Sequence, residues 1–431
     1  MSAWSEVLDA ARPERVGRIS QVRGLGVAVR GLDGAIGDLV SLGGDRHAEV
    51  VATGEDGLRC MPLSSAAGLT VGAPARALGG PMRVPVGPHL LGRVLDGLGR
   101  PIDGRGPLDA PRVSLDHEPP SAMGRDRITA PLSLGIRAVD TLTTVGRGQR
   151  VGLFAGSGVG KSSLLSMIAR GTDADAAVIA LVGERGREVR EFIEDDLGAE
   201  GLAHAVVVVS TSDQPAMARM RAAFTATRIA EAFRDEGGHA VLMMDSLTRV
   251  AMAQREIGLS AGEPPATRGY PPSTFALLAQ LLERAGTDRG GSATGIYTVL
   301  VDGDDHNEPI ADAVRSILDG HIVLDRSLAL TGHHPAVDVL ASVSRVAGKV
   351  TSADQRQLAT ALRAVLAARR AAGDLIDIGA YQAGASPRVD AAIANERAIS
   401  DFLTQPLGEI SPAAQSWHRL AALVSGFGGA A

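Results

Sequence analysis

The amino-acid sequence predicts an α/β protein in which a mostly parallel sheet is preceded by a small all-β domain and followed by a helical domain. Three observations carry this prediction. Strand-like and helix-like segments alternate from about residue 127 to 345, as is typical of parallel α/β sheets. Short apolar runs separated by Gly and Asp precede this region, which is typical of small barrels. Helical periodicity broken by Pro and Gly follows it.

Composition restricts the function classes. The 431 residues are enough for roughly two to four domains. The net charge of −6 provides no basic field, so we expect no nucleic-acid partner. Cys60 is the only cysteine, which excludes an internal disulfide and favours a reducing compartment. The sequence has neither a membrane-spanning apolar run nor a signal-peptide pattern. We therefore expect a cytoplasmic protein that reaches a membrane only through partners.

Two units are predicted before the α/β domain. Residues 1–22 begin with a helix-like pattern that is either a frayed terminus or a partner-binding segment, and its apolar face comprises Trp4, Val7, Leu8 and Ala11. Residues 23–80 are predicted to form a β-barrel oligomerisation domain. Its candidate strands are the runs Val27–Val29, Leu39–Leu42 and Ala48–Ala52.

The α/β domain is predicted over residues 81–345 and a C-terminal helical domain over residues 346–431. The segment 79–125 is rich in Gly and Pro, and its part 91–104 is interpreted as a turn-dense connector. In the helical domain an apolar stripe favours core packing of a bundle: Trp417, Leu420, Leu423 and Val424. The predicted strands of the sheet are Ala177–Leu181, Ala205–Ser210, Ala240–Met244, Gly295–Val301 and His321–Leu324.

A glycine-rich segment between a predicted strand, Gln149–Phe154, and a predicted helix, Ser162–Arg170, has the pattern of a phosphate-binding loop. Such a loop turns backbone N–H groups and a helix N-terminus toward phosphates. Lys161 would contact the β- and γ-phosphates of a nucleoside triphosphate, and Ser162 would bind Mg²⁺. The alternative is a glycine-rich turn that only begins a helix. The loop residues are Ala155, Gly156, Ser157, Gly158, Val159, Gly160, Lys161, Ser162 and Ser163, with Ala155 where the usual pattern has Gly.

Acidic residues follow two of the predicted strands. Asp245 ends the apolar run Val241–Met244, which places its carboxylate at the ligand-binding edge of a parallel sheet, opposite Ser162 and near Mg²⁺. Glu184 follows the strand Ala177–Leu181 and could act as a general base. Arg185 could stabilise charge on the phosphoryl group. The alternatives are a turn aspartate and a solvated charged turn that begins a helix.

These motifs together resemble the catalytic subunits of rotary ATP synthases and their relatives. The phosphate loop, Gly183–Arg185, Asp245–Arg249 and Ser342–Arg345 have the order and spacing of that family. Further stretches resemble the flagellar type III export ATPases in particular. These are Met252–Ile257, Gly262–Pro272, Asp302–Asp305, Asn307–Asp312 and Ile317–Leu324.

The resemblance implies a RecA-like P-loop NTPase core between an N-terminal β-barrel and a C-terminal α-helical domain. It implies a homo-hexameric ring that binds ATP and Mg²⁺ between protomers. Glu184 corresponds to the catalytic glutamate, Arg185 to the arginine beside it, and Asp245 to the Walker B aspartate. Arg345, which spacing alone does not distinguish from a surface arginine, corresponds to the arginine finger of a neighbouring site. Arg249 corresponds to an arginine near the phosphates.

Two departures from the family pattern concern the base pocket and the C-terminal domain. His334 stands where relatives commonly have a tyrosine that packs near the adenine, and it offers a smaller stacking area. The acidic C-terminal loop of the synthase subunit has no clear match here. The second departure favours an export ATPase over a torque-generating synthase subunit.

The implied function is Mg-dependent ATP hydrolysis that energises flagellar export, with chaperone release and delivery of unfolded substrates. The implied partners are a peripheral stator-like regulator, a coiled-coil central stalk-like subunit, the membrane export gate and substrate–chaperone complexes. The protein would then associate peripherally with the inner-membrane export apparatus.

Three alternatives to this function remain. A virulence-type (injectisome) secretion ATPase is the nearest alternative. A Rho-like RNA translocase would need base-stacking aromatics, and residues 17–78 contain no Phe, Tyr or Trp. A non-catalytic ring subunit would lack Glu184 or an intact loop.

Overall fold

The computed structural model describes residues 15–301 and 308–429. Residues 1–14 of the predicted partner-binding segment lie outside this range. The Asp302–Asp305 stretch and Asn307 of the family-like motifs lie outside it as well. Within these limits no helix combines the length and the apolar character that crossing a membrane requires.

The N-terminal domain is a closed six-stranded antiparallel barrel with the strand order β1-β2-β5-β4-β3-β6. Its interior is apolar and includes the only cysteine, Cys60, whose thiol pKa is raised to about 12 by burial. The predicted apolar runs lie in its strands. The barrel strands are β1 Val16–Arg23, β2 Gly26–Arg30, β3 Asp38–Ser41, β4 His47–Gly54, β5 Gly57–Pro62 and β6 Pro74–Pro81.

The barrel begins earlier than the sequence suggested. Strand β1 starts at Val16 and pairs with both β2 and β6. The expected boundary between residues 22 and 23 therefore falls inside the first barrel strand. Closure of a barrel requires this strand, because it alone joins β2 to β6.

The connector between barrel and sheet contains short strands of its own. The pair β7 Arg83–Pro85 and β9 Arg112–Ser114 forms a small ribbon. Strand β8, Val94–Asp96, joins the central sheet in parallel with Val207–Val209. The turn-dense connector predicted at residues 91–104 therefore also contains one short strand that the sequence did not indicate, since pairing with a long buried strand stabilises even three residues.

The central sheet has the order β19-β18-β12-β17-β15-β13-β14-β8, and β16 pairs with β17. Its strands are parallel except for β19 and β16. Two other short strands, β10 Pro131–Leu132 and β11 Val145–Gly146, pair with each other. The sheet strands are β12 Arg150–Ala155, β13 Ala176–Glu184, β14 Ala205–Thr211, β15 His239–Asp245, β16 Gly286–Asp288, β17 Gly291–Leu300, β18 Gly320–Leu324 and β19 Val343–Ser344. Each strand predicted from the sequence lies in or overlaps one of them.

Helices cover both faces of this sheet, which explains why its strands are almost continuously apolar. Two apolar cores result, one on each face. The helices of this domain are α1 Arg137–Leu142, α2 Lys161–Gly171, α3 Gly186–Glu191, α4 Gly198–Ala203, α5 Ala216–Asp235, α6 Leu247–Ala261, α7 Pro272–Glu283, α8 Pro309–Ile317 and α9 Arg326–Leu330. Shorter turns lie at Pro88–Leu90 and Thr267–Gly269, and a π-helical turn at Phe192–Leu197.

The C-terminal domain is helical and shares an apolar core with one face of the sheet. Leu420 and Leu423 of the predicted stripe are buried, and Trp417 and Val424 pack against the same core. Core packing of this stripe is therefore confirmed. The helices of this domain are α10 Ala347–Val350, α11 Ala353–Ala371, α12 Gly373–Asp377, α13 Pro387–Ala394, α14 Glu396–Leu403 and α15 Ala413–Ser425.

Candidate active site

The phosphate-binding loop has the backbone that its sequence requires. Strand β12 ends at Ala155, and helix α2 begins at Lys161. Gly158 and Gly160 have φ angles of 77° and 89°, a left-handed region that glycine enters without steric cost. Ala155 is 1% exposed and belongs to the apolar core. Its methyl group is therefore accommodated in the core at the end of β12, which explains why alanine is accepted at this position.

Three of the predicted site residues converge beside this loop. The Lys161 ammonium lies 2.6 Å from Asp245 Oδ1 and 3.7 Å from Glu184 Oε1. Asp245 is 2% exposed, and its Oδ1 also accepts a hydrogen bond of 2.8 Å from the Thr298 hydroxyl. These side chains come from the carboxyl ends of neighbouring strands, β15, β13 and β17, and from the first residue of α2. Parallel strands present their ends at one edge, where ligands of such sheets bind.

The environment of Glu184 suits a proton acceptor. Burial raises the pKa of its carboxyl group above the ordinary value, and the negative charge of Asp245 acts in the same direction. The charges of Lys161 and Arg249 lower this pKa and partly offset the burial. A carboxylate with a raised pKa is a stronger base than an exposed one, so it is better able to take a proton from water.

Arg249 lies against the backbone of the strand end that carries Glu184. Gly183 has a φ of 74°, and a Cβ built there would lie 2.9 Å from the Arg249 Cβ. Glycine is therefore required both for the backbone and for the space. The Arg249 Nε is buried and has no hydrogen-bond partner within residues 15–301 and 308–429. This leaves the guanidinium with a donor available near Glu184.

A cavity of about 500 Å³ adjoins the phosphate loop. One wall is helix α2, through Ser163, Leu164 and Met167, and a second wall is the segment 332–336 with His334. His334 is exposed, and its Nδ1 would lie 3.8 Å from a Cβ on Gly160. The third wall, Thr404–Leu407, comes from the C-terminal domain. The sequence reasoning missed this third wall, and only the proline break at Pro406 lies near it.

Two buried polar side chains hold the third wall in place. Gln405 Nε2 donates hydrogen bonds of 2.8 Å to the carbonyls of Gly135 and Glu409, and its Oε1 accepts one of 3.0 Å from the Arg137 amide. The Arg137 guanidinium donates to the carbonyls of Phe402 and Thr404 and pairs with the Glu409 carboxylate at 2.6 Å. One wall of the cavity is thus a loop that is tied to the core at both ends.

Comparisons with known proteins match this architecture along most of the chain. The model of the ATP synthase alpha/beta family, nucleotide-binding domain, matches residues 135–344, and that of the T3SS EscN ATPase C-terminal domain matches residues 351–422. A Bacillus subtilis protein named flagellum-specific ATP synthase is 51% identical over 92% of each chain. A type 3 secretion system ATPase of Xanthomonas euvesicatoria is 48% identical over 94% of this chain and 93% of its own length.

The chain belongs to the ATP synthase alpha/beta family, among the ATPases of type III export. A solved structure agrees with this assignment: the assembled ATPase EscN of the enteropathogenic E. coli type III secretion system has a TM-score of 0.88 and 44% identity. That match covers 95% of this chain and all of the other. The three-domain architecture expected from the resemblance is thereby confirmed. EscN has also been solved in complex with its central stalk EscO.

The residues at the loop fit the magnesium ion that the family implies. Ser162, in the first turn of α2, offers a hydroxyl, and Asp245 offers a carboxylate. Such hard oxygen ligands suit Mg²⁺, which is commonly held by one or two protein groups together with substrate phosphates. Among the described residues no cluster of three or more His, Cys, Asp or Glu forms a complete protein cage.

Two predicted site residues lie apart from the Lys161 cluster. Arg185 has a side chain that is 81% exposed and lies 3.4 Å from Glu188 on the same turn. Arg345 is exposed and follows β19, which pairs with the amino end of β18 through Val343–His321 and Ser344–Gly320. The phosphate loop follows Ala155, which pairs with Leu324 at the carboxyl end of β18. Arg345 and the phosphate loop of its own protomer therefore lie at opposite edges of the sheet.

Proposed function

We propose that this protein hydrolyses ATP with Mg²⁺ in a homo-hexameric ring and thereby energises flagellar type III protein export. The observation that carries the proposal is the cluster of Lys161, Glu184 and Asp245 beside the phosphate loop. The Lys161 ammonium would bind the phosphates and the Asp245 carboxylate would bind the magnesium ion. The Glu184 carboxylate, whose pKa is raised, would accept a proton from the attacking water.

The reaction follows from the roles of these side chains. The amides of the loop 156–160 and the Lys161 ammonium bind the phosphates and orient the γ-phosphoryl group. Glu184 orients a water and accepts its proton as the water oxygen bonds to the γ-phosphorus. The bond to the bridging oxygen breaks, and ADP leaves with the electron pair. Ser162 and Asp245 would hold Mg²⁺, which would supply neutralisation of the phosphate charge. Arg249, with a buried unpaired Nε near Glu184, and Arg185, after it leaves its contact with Glu188, would contact charge near the phosphoryl group.

The position of Arg345 supports catalysis between protomers. Strand β12 separates the two sheet edges by six residues, or roughly 20 Å at the rise of an extended strand. Arg345 therefore serves the site of a neighbour, and head-to-tail contacts of this kind close into rings. An arginine supplied in this way contributes on the order of 10³–10⁵ in rate. His334 and the third wall of the cavity receive the adenine.

The proposed partners follow the same reasoning. A coiled-coil central stalk is supported by the EscN–EscO complex. We further propose a peripheral stator-like regulator, the membrane export gate and substrate–chaperone complexes as partners, and a cytoplasmic location at the inner-membrane export apparatus. The Glu263–Pro272 loop would face the central channel of the ring.

The enzymatic part of the proposal is tested by measuring Mg-ATP hydrolysis per protomer against protein concentration. Specific activity should rise with concentration as rings form, and Glu184→Gln should abolish it at every concentration. Full activity in a sample shown by sizing to be monomeric would contradict the shared site. Activity that persists in Glu184→Gln would contradict the assigned base.

The flagellar assignment is tested by complementation. Similar identities to flagellar and secretion-system relatives, 51% and 48%, make a virulence-type ATPase the second candidate. In the source organism, deletion of the gene should abolish filament export and motility, and the wild-type gene should restore both. Retained motility with loss of effector secretion would establish the second candidate instead.

A further inference from the structure

The backbone next to Arg345 is held by a buried side chain at the start of the phosphate-loop strand. Gln149 is fully buried, with 0% of its surface exposed. Its Nε2 donates hydrogen bonds of 3.0 Å to the Asp319 carbonyl and 3.2 Å to the Ser344 hydroxyl oxygen. Its Oε1 accepts one of 2.9 Å from the Gly146 amide. Both the amide nitrogen and the amide oxygen of Gln149 are therefore hydrogen-bonded. The nitrogen contacts Ser344, the residue directly before Arg345.

Asp319 connects this side chain to Arg345 itself. The Asp319 carbonyl, which accepts from Gln149, also accepts a hydrogen bond of 2.9 Å from the Arg345 amide. The Asp319 carboxylate accepts hydrogen bonds of 3.1 Å from both the backbone N and the Nε of Arg150. Gln149, just before the phosphate-loop strand, thus binds the main chain of Asp319, and Arg150, the first residue of that strand, binds its carboxylate.

The packing around these hydrogen bonds leaves little freedom. A Cβ on Gly320 would lie 2.5 Å from the Val343 carbonyl and 3.1 Å from Gln149 Nε2. The Ser344 hydroxyl donates a hydrogen bond of 2.8 Å to the Thr144 carbonyl. The segment that precedes Arg345 is therefore fixed on one side by Gly320 and on the other by Thr144. The buried amide of Gln149 lies between them.

The same strand carries the phosphate loop at its other end. Strand β12 begins directly after Gln149, is paired on both sides by β17 and β18, and ends at Ala155. A close-packed strand with neighbours on both sides transmits a displacement along its length. In each protomer, the carboxyl end of β12 therefore leads into the protomer's own phosphate loop. The amino end of β12 anchors Arg345, which acts in the neighbouring protomer's site.

We infer that Gln149 is a positioning residue for Arg345 in the neighbouring active site, and that β12 links this arginine to the protomer's own phosphate loop. The inference rests on the proposed function, because Arg345 must act between protomers. The amide of Gln149 sets where the Arg345 backbone lies. Loss of this amide should misplace the arginine in the neighbour's site and leave the protomer's own site intact.

The test uses Gln149→Met, which keeps the side-chain length and removes all three hydrogen bonds of the side-chain amide. Alone, it should lower kcat at least tenfold with little change in the KM for ATP, because a group that acts in the transition state is displaced. Ser344→Ala should show a smaller effect of the same kind and provides a second variant if Gln149→Met does not fold. Gln357→Met, at an exposed position of α11, is the matched control and should keep full activity.

The deciding experiment mixes variants before ring assembly. A Gln149→Met protomer offers an intact site, and a Glu184→Gln protomer offers an intact Arg345. In a random equal mixture about a quarter of the sites pair these two intact parts, since each site takes its arginine from the next protomer. Activity should therefore rise clearly above the sum of the separate variants. A mixture of Ser344→Ala with Glu184→Gln should likewise show more activity than the sum of its separate variants.

A reference mixture of Arg345→Ala with Glu184→Gln distinguishes failure of the shared site from failure of the positioning role of Gln149. No rescue in this reference mixture would overturn the shared site and, with it, the proposed function. Rescue in the reference mixture without rescue by Gln149→Met or Ser344→Ala would overturn the positioning role alone, as would wild-type kcat in both variants. Rescue in all mixtures would establish it.

Discussion

At the scale of single residues, the chemistry of the site depends on how Glu184 is surrounded. Its carboxyl group is buried, which raises its pKa, while the Lys161 ammonium beside it lowers that pKa. Asp245 and a hydrogen bond with Glu188 raise the pKa further. The catalytic form is the carboxylate. Activity is therefore present above the raised pKa and is lost as the pH falls through it.

The upward shift of the Glu184 pKa predicts how activity depends on pH. The acid limb of kcat/KM, which reports the free enzyme, should lie above the pKa of about 4.3 of an ordinary glutamate. Glu188→Gln removes one cause of the raised pKa, so it should move the limb to lower pH. Glu191→Gln, on the same helix but paired with Arg187, is the control and should leave the limb in place. A limb at the ordinary value in the wild-type protein would contradict the buried environment.

Local sequence patterns predicted the residues that meet at the sheet edge. Lys161, Glu184 and Asp245 each follow or end an apolar strand, and parallel strands bring such ends together. Arg345 has no comparable local signal, because its role depends on a second protomer. Only resemblance to a family indicated it, and the sheet topology then placed it away from its own phosphate loop.

At the scale of elements, the loop between α14 and α15 forms one wall of the cavity beside the phosphate loop. It is held by Gln405 and Arg137, and by Arg170 near the end of α2, which donates a hydrogen bond of 2.6 Å to the Leu407 carbonyl. The helix that begins at the phosphate loop thus also fixes the wall of the cavity. Loss of the hydrogen bonds that hold this loop should therefore weaken nucleotide binding.

Replacing Gln405 by leucine should therefore raise the KM for ATP on the order of tenfold and change kcat much less, because uniform binding is lost. The carbonyls of buried Gly135 and half-buried Glu409 would also lose a donor, at a cost of about 1–3 kcal/mol of stability. Steady-state kinetics at several ATP concentrations measures the first effect and thermal melting the second. Gln382→Leu, at an exposed position, is the control. A fall in kcat at constant KM would contradict the assigned wall.

Elements were predicted well where they are long and periodic. The strand Val94–Asp96 was missed because three residues between glycines have no periodicity, and their strand state comes only from pairing with β14. The wall at Thr404–Leu407 was missed because no pattern in its own residues points to a partner some 240 residues earlier. Both depend on contacts between distant segments.

At the scale of the whole molecule, a buried ion pair joins the barrel to the α/β domain. Glu49, on β4, is 4% exposed and accepts hydrogen bonds from two nitrogens of Arg221 on α5, the Nε at 2.6 Å. The Arg221 guanidinium also lies 5.8 Å from the ring of Phe224. Removing one partner leaves the other charge buried and unpaired.

Arg221→Leu should therefore destabilise the protein by about 3–5 kcal/mol. Thermal melting and limited proteolysis between barrel and core would detect this loss. Replacing both partners, Glu49→Leu with Arg221→Leu, should recover most of the stability, because no unpaired charge remains. The exposed pair Arg187–Glu191 is the control, and Arg187→Ala should change the melting temperature little. An unchanged melting temperature in Arg221→Leu would contradict the importance of this contact.

The burial of Cys60 has a practical consequence for following this protein in action. The thiolate is the form that reacts with electrophiles, and a thiol with a pKa of about 12 inside a closed barrel is almost entirely protonated at neutral pH. Thiol-reactive labels should therefore not react with the wild-type chain. A cysteine introduced at an exposed position such as Ile378, which is 75% exposed, would carry a single fluorophore without prior removal of the native cysteine.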